Sequence, residues 1–339
     1  MSFLRYDHTT GDWVIFAPER VRRPDEWKQG AGMSPGPSSS PEKCPFCPGH
    51  ESMTGPEVYA LRGESAANTP GWRVRVVPNK FPALRIENEN RRFDEGPMFR
   101  YMGGCGEHEV IIESPEHDRL LAQQPVEHIQ ALLRTLQLRF TDLMRDVRFQ
   151  MIVIFKNQGE RAGTSLQHPH CQLIATPVVP QLLRWKHHIA TGYFDQTGHC
   201  LYCMLLQVEL AARQRIVVEN DAFAAFVPYA SQVPFEMWIL PKCHQSSFGE
   251  ADAAQLWSLA EVVKTVLMKL NVGLENPDFN LTINTAPRGD EDKEYFLWHL
   301  QIVPRLTTRA GFEMGSGMSI NTVLPEESAA YLRDVVLPN

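Results

Sequence analysis

Residues 165–175, SLQHPHCQLIA, place two histidines on either side of a proline inside an otherwise apolar run. Read as a strand, positions 168, 170 and 172 share one face, so His168, His170 and Gln172 point the same way. Pro169 restricts its own backbone and that of the preceding residue, which stiffens the segment. A second stretch, Trp298–Pro304 (WHLQIVP), echoes the first with one histidine fewer.

The pattern around these two stretches repeats. Upstream of the first lie an extended run from Gly71 (GWRVRVVPNKFPAL), an alternating strand from Gly106 ending near His117, a helical pattern opened by Pro125, and the strand RFQMIVIFKNQG from Arg148. The second half follows the same order. Strands through FAAFVPYASQVPFEMWILPKCH end at His244, a helix reads through DAAQLWSLAEVVKTVLMKL, and DFNLTINTAPRG precedes WHLQIVP. Thirty-two residues separate His117 from Phe149 and 35 separate His244 from Phe279. Cys47 to His117 spans 70 residues but Cys203 to His244 only 41, so the first half carries an insertion. The expected fold is α+β: two copies of a mainly antiparallel sheet with a packed helix, in domains 1–180 and 181–339.

Two of the seven cysteine positions open Cys-x-x-Cys pairs, Cys44 with Cys47 and Cys200 with Cys203. In a reducing compartment such pairs are metal ligands or redox dithiols more often than disulfides. The first pair sits in a Pro/Ser/Gly-rich loop rather than at the start of a helix, which favours zinc over a redox pair. Cys44 and Cys47 need two further ligands, and His117 and His168 complete a Cys2His2 set. His170 is then a ring fixed beside the metal but free to react. If one ring nitrogen donates to a backbone carbonyl, the other keeps its lone pair and can act as a nucleophile. Gln172 offers an amide donor beside it. The polar loop NQGERAGTS brings Asn157, Ser165 and its own amides, a candidate phosphate cradle. Two buried core histidines, or two zinc ligands, are the competing reading of the pair.

The 339-residue chain is 43% hydrophobic, enough for two domains of moderate size. Its formal net charge of −7 offers no basic excess for a phosphate backbone, so nucleic acid is not the expected partner. No stretch approaches a membrane span, and the first residues lack an apolar signal core; a cytoplasmic protein is the expectation.

The histidine segment HPHCQ resembles the His-x-His-x-Gln signature of the galactose-1-phosphate uridylyltransferase family, within the histidine-triad superfamily. APERVRRP, CPFC, VVPNKFPAL, SPEH, NQGERAGTSLQHPHCQ, VPFEMWILPKCH and GFEMGSGMSINTVLPEE follow in the family's order over nearly the whole chain. The tail PRLTTRAGFEMGSG is also similar to a branch that includes ADP-glucose phosphorylase. The resemblance implies that His170 carries the nucleotidyl group and that Gln172 contacts the phosphoryl oxygens. It places Ser165 and Asn157 on the phosphate, Arg20, Arg23 and Asn79 at the nucleotide, and Arg309 and Asn321 in the tail that closes over the sugar phosphate. It also implies a homodimer.

Well-known members carry a second metal site with a glutamate and a His-x-His in the second half. Here the aligned positions are Lys186, His299-x-Gln301 and Asn284, so that site is expected to be absent. Cys200, Cys203, His244 and His299 instead form a second Cys2His2 set, giving two Zn2+ per chain. On this reading WHLQ keeps the structural histidine and replaces the reactive one with Gln301. The implied activity is uridylyl transfer from UDP-glucose to galactose 1-phosphate, in galactose metabolism. Phosphorolysis of ADP-glucose is the alternative, and a non-catalytic zinc module is the reading from another class.

Overall fold

The computed structural model describes residues 1–20 and 40–338. In chain order the strands are β1 (Phe3–Asp7), β2 (Asp12–Phe16), β3 (Tyr59–Arg62), β4 (Trp72–Pro78), β5 (Arg92–Glu95), β6 (Phe99–Met102), β7 (Glu107–Ile112) and β8 (Met151–Gln158). They continue with β9 (His170–Thr176), β10 (Ile216–Glu219), β11 (Phe223–Phe226), β12 (Met237–Pro241), β13 (Phe279–Asn284), β14 (His299–Pro304) and β15 (Ile320–Asn321). The helices are α1 (Val126–Leu143), α2 (Gln181–Thr197), α3 (Leu201–Ala212), α4 (Ala253–Gly273), α5 (Gly311–Ser316) and α6 (Pro325–Asp334).

Ten strands form one sheet in the order β10-β11-β12-β14-β13-β8-β9-β7-β4-β3, with antiparallel neighbours throughout. Residues 1–180 and 181–339 each supply five of these strands, joined where β8 pairs with β13. Reading outward from that seam, β8 matches β13, β9 matches β14 and β7 matches β12, so the repeat is written into strand order. The first-half insertion holds the β5–β6 hairpin.

One face of the sheet is covered by α1 and α4. Pro125 opens α1 without needing a backbone donor, and Ile129, Leu132, Leu133, Leu136, Phe140 and Leu143 recur at helical spacing on its buried side. Asp252 caps α4, its carboxylate accepting from Gln255 N at 2.8 Å. Ile129 and Leu259 are fully excluded from solvent, and truncating either to Ala would cost ~2–5 kcal/mol. Cys171, Leu173 and Ala175 of β9, and Leu300 and Ile302 of β14, belong to this core. Strand alternation therefore turns His170, Gln172, His299 and Gln301 to the opposite face, which α2 and α3 cover in the second half.

A small sheet, β1 antiparallel to β2 and β2 parallel to β15, ties the first residues to the second half. Arg5 bonds both carboxylate oxygens of Glu326 at 3.0 and 3.1 Å. Helices α2 and α3 occupy a stretch in which the sequence pattern marks no helix. The second Cys-x-x-Cys opens α3, with Cys200 as its N-cap, whereas the first lies among turns. No helix among the described residues is long and apolar enough to cross a membrane.

Candidate functional site

Two cysteines and two histidines converge beside the start of β9. The ligand atoms of Cys44, Cys47, His117 and His168 all lie within 4.8 Å of one another, and all four residues are buried. Cys47 Sγ is 3.2 Å from His117 Nδ1 and 3.6 Å from His168 Nδ1, and Cys44 Sγ is 3.6 Å from His168 Nδ1. His168 Nε2 donates to Ser114 O at 2.8 Å, which leaves its Nδ1 lone pair facing the sulfurs. Burial and the neighbouring Cys44 push the Cys47 thiol up to about 12, so without a cation that thiol stays protonated. Phe46 N donates to Cys44 Sγ at 3.4 Å, and Trp72 Nε1 holds the buried Glu51 at 2.9 Å behind the loop. The donor set fits a closed tetrahedral zinc site.

His170 begins β9 beside that cluster. Its Nδ1 donates to His168 O at 2.8 Å, fixing the ring and leaving Nε2 as the unprotonated nitrogen. Phe46 packs edge-on against the ring at 5.3 Å. Burial holds the imidazole below its ordinary range and so favours the neutral form. Gln172 lies two residues on, on the same face. His108 orients it: Ala83 N donates to His108 Nδ1 at 3.2 Å, so His108 Nε2 carries the proton and donates to Gln172 Oε1 at 2.8 Å. The Gln172 amide nitrogen is left to face the site. Asn79 follows β4, its Nδ2 3.1 Å from His108 Nε2 and its Oδ1 accepting from Phe81 N at 2.9 Å.

Asn157, near the end of β8, shares the face of His170 and Gln172 and accepts from Asn280 Nδ2 at 2.7 Å. The following loop is built on Gly159, at φ +85°, where an added Cβ would meet Asp278 Oδ1 at 1.7 Å. Asp278 in turn accepts from Arg161 N at 2.7 Å, closing the loop that presents the exposed Ser165. Behind β9, on the helix side, Lys156 Nζ bonds Glu113 Oε1 at 2.6 Å, and Cys171 Sγ donates to the same oxygen at 3.2 Å.

The second half differs from expectation at His299 and Gln301. Cys200, Cys203 and His244 come together, with Cys203 Sγ 3.3 Å from His244 Nδ1, but His299 does not join them. His299 Nδ1 instead donates to Leu297 O at 3.0 Å, repeating the bond from His170 to His168. Gln301 repeats Gln172, with Glu236 accepting from its amide at 2.8 Å where His108 holds Gln172. His299 therefore stands where His170 stands, Gln301 is not the substitute for a nucleophile, and Leu297 occupies the place of His168. His299 is fully buried among Tyr202, Phe296 and Trp238, with Nε2 unpartnered, so no substrate reaches it.

Asn321 is likewise corrected from a substrate contact to a tie. It is fully buried, donating to Ser231 O and Oγ at 2.9 and 3.0 Å and accepting from Val323 N. Arg309 meets Gln232 at 3.3 Å and Ser319 at 3.4 Å. Arg20 closes the short turn Pro18–Arg20, and Arg23 lies outside the described residues. Sequence reasoning passes over His108, Glu113 and Lys156. The signal was present, since each is a polar residue at or beside an apolar strand.

Known proteins resemble this chain along its whole length. The family model for the galactose-1-phosphate uridyl transferase N-terminal domain matches residues 1–180, and that for the C-terminal domain matches residues 186–335. An ADP-glucose phosphorylase of Arabidopsis thaliana is 35% identical over 98% of this chain and 93% of its own length. A galactose-1-phosphate uridylyltransferase of Thermotoga maritima is 28% identical over 98% of each. Among solved structures, the Arabidopsis thaliana ADP-glucose phosphorylase with bound ADP-glucose superposes with a TM-score of 0.84 at 33% identity, covering both chains fully. A uridylyltransferase mutant superposes at 0.75 with 25% identity over 98% of both chains.

Proposed function

The chain belongs to the galactose-1-phosphate uridyl transferase family, and we propose that it transfers a nucleotidyl group through a covalent intermediate on His170. The carrying observation is the His170 ring, whose Nδ1 is held by the His168 carbonyl at 2.8 Å while Nε2 stays open. Nε2 attacks the α-phosphorus of a nucleoside diphosphate hexose. The P–O bond to the β-phosphate breaks and hexose 1-phosphate leaves, its phosphate accepting the electron pair without a strong general acid. Gln172, steadied by His108, donates its amide to a phosphoryl oxygen as charge builds. Ser165, Asn157 and the loop amides hold the phosphates, and Asn79, Arg20, Arg23 and Arg309 serve the nucleotide and sugar phosphate. A second phosphate then attacks the nucleotidyl-histidine and restores the free ring. The scheme is a double displacement with ping-pong kinetics.

Two donor and acceptor pairs have support. UDP-glucose with a hexose 1-phosphate, chiefly galactose 1-phosphate, follows the description of the matching family. ADP-glucose with inorganic phosphate has its own observation, the higher identity and superposition of the Arabidopsis thaliana phosphorylase. Incubation with α-labelled UDP-glucose or ADP-glucose, followed by chase with each acceptor, separates them. Label chased into a new nucleoside diphosphate hexose marks a transferase; label chased by phosphate into a nucleoside diphosphate marks a phosphorylase. Failure of both donors to label the protein would sink the covalent scheme.

Zinc in the first set would cross-link the 44–47 loop to His117 and His168 and so supply rigidity to the strand that carries His170. Cys200, Cys203 and His244 form the second proposed site, beside a cavity of about 440 Å³ that His199 and Glu294 also line. We read residues 1–180 and 181–339 as the two domains, acting in a homodimer in the cytoplasm.

A further inference from the structure

The second half covers its own copy of the histidine strand with a cavity of about 400 Å³. That is the size of a small-molecule pocket. It lies on the Gln301 face of β14, roofed by β1 and the turn after it and walled by α2 and α3. Its walls are apolar and aromatic, with Trp238, Met204 and Tyr6 among them. Its floor holds a few polar groups with specific vacancies. Lys186 is buried, with 7% of its surface exposed, and lines the cavity with no hydrogen bond or close ion pair among the described residues. Glu236 is held by three donors: it accepts from Trp238 Nε1 and Gln301 Nε2 at 2.8 Å and from Gln232 N at 2.7 Å. One N–H of the Gln301 amide is thereby used, leaving the other to donate and the carbonyl oxygen to accept.

We infer that this cavity binds a neutral, planar heteroaromatic ligand of the nucleobase or nucleoside class, at a site separate from His170. The floor sets the charge. Lys186 shares the cavity lining with the carboxyl groups of Asp7 and Glu236, so an anion entering beside it meets two acidic groups for one basic group. Arg215 adds no free charge, since Glu209 engages it at 2.9 and 3.0 Å. Lys186 needs an acceptor and Gln301 needs a donor. A base edge offers both side by side, and its flat faces suit aromatic and thioether walls. His299 does no chemistry here, because its ring is sealed beneath Trp238 and Tyr202.

Photoaffinity labelling of the full chain with azido-adenosine and azido-uridine, followed by peptide mapping, tests the site. The expected label falls on peptides carrying Tyr6, Met204 or Trp238. Met204→Trp, which fills the cavity, should abolish that label while nucleotidyl labelling of His170 persists as the control for folding. Gln301→Leu, a smaller change, should weaken labelling by about tenfold, the worth of one hydrogen bond. Label confined to peptides around Phe46 and His170, label unchanged in both variants, or no label with millimolar nucleoside would each overturn the assignment. Loss of His170 labelling in wild-type protein would instead count against the transfer reaction.

Discussion

His299 Nδ1 lies 3.0 Å from the carbonyl of Leu297, as His170 Nδ1 lies 2.8 Å from the carbonyl of His168. The two rings occupy one position of a repeated strand and meet different fates. In the first half the neighbouring histidine turns to two cysteines, and the reactive ring opens toward an edge-on phenylalanine. In the second half a leucine stands in the ligand position and aromatic rings close over the histidine.

Replacing His170 with Gly should therefore remove the covalent intermediate and cut transfer by roughly a thousandfold or more. Zinc content and melting temperature should stay near wild type, because His168 is the metal-facing ring. Elemental analysis beside a labelling assay checks both. Loss of one zinc equivalent in this variant would mean that the roles of the two histidines are reversed.

His299→Gln should leave the metal content unchanged, whereas Cys44→Ser and Cys200→Ser should each lower it by one equivalent. The ligand atoms of Cys200, Cys203 and His244 cluster without His299, while hydrogen bonds from Cys203 and His244 pull the Cys200 thiol down to about 5. A thiolate at a helix N-terminus is ready to take a cation. Metal analysis of chelator-washed protein decides between this and a redox pair. One equivalent in wild type, with Cys200 and Cys203 freely titratable, would remove the second site.

How far the sequence carried the fold is visible element by element. Helices α1 and α4 were legible because a proline or aspartate opens each and apolar residues keep helical spacing. Helix α2 was hidden because Lys186 and His187 lie on its buried side, and α3 because its apolar residues leave little polar contrast. The first donor set and the His170 strand could be read from ligand spacing and strand alternation. The register of WHLQ could not. One histidine and one glutamine fit either of two alignments, and the choice rests on which backbone carbonyl takes the Nδ1 proton. Asn321 was misread for a related reason: a polar residue in a matching motif looks the same whether it meets a ligand or its own chain.

Gly159→Ala should disrupt the loop before Ser165. A left-handed residue and a collision with the Asp278 carboxylate coincide there, for a cost of about 1–3 kcal/mol. Transfer should fall with KM for the donor rising more than kcat drops, since the loop holds phosphates rather than reacting atoms. Wild-type kinetics in this variant would show that the loop is not the phosphate cradle.

Acid should unfold the protein partly through histidines that bear no role in transfer. Burial depresses His187 to about 4 and His299 to about 3, against an unfolded value near 6.5. Both bind protons more readily when unfolded, so the stability they allow is present above pH 6.5. It is lost as pH falls toward their folded values, at up to about 1.4 kcal/mol per pH unit for each ring. Urea midpoints at pH 7, 6 and 5 should drop less steeply in His187→Phe, whose ring can still stack on Phe296. An equal slope in both proteins would show that His187 titrates normally.

The pair behind β9 should be harder to break than to remove. Lys156 and Glu113 are each 1% exposed and 2.6 Å apart. The backbone around Glu113 is held as well, its N donating to Pro169 O at 3.2 Å and its carbonyl accepting from His128 Nε2 at 2.7 Å. Glu113→Gln leaves an ammonium without its counter-charge and should cost about 3–5 kcal/mol, while the double variant Lys156→Met with Glu113→Leu should recover most of that loss. Because Pro169 lies between His168 and His170, the single variant should also loosen the nucleophile, lowering kcat with little change in KM. The double variant then distinguishes two roles. Recovered stability with kcat still low assigns the pair to positioning the His170 strand, and recovery of both assigns it to packing alone.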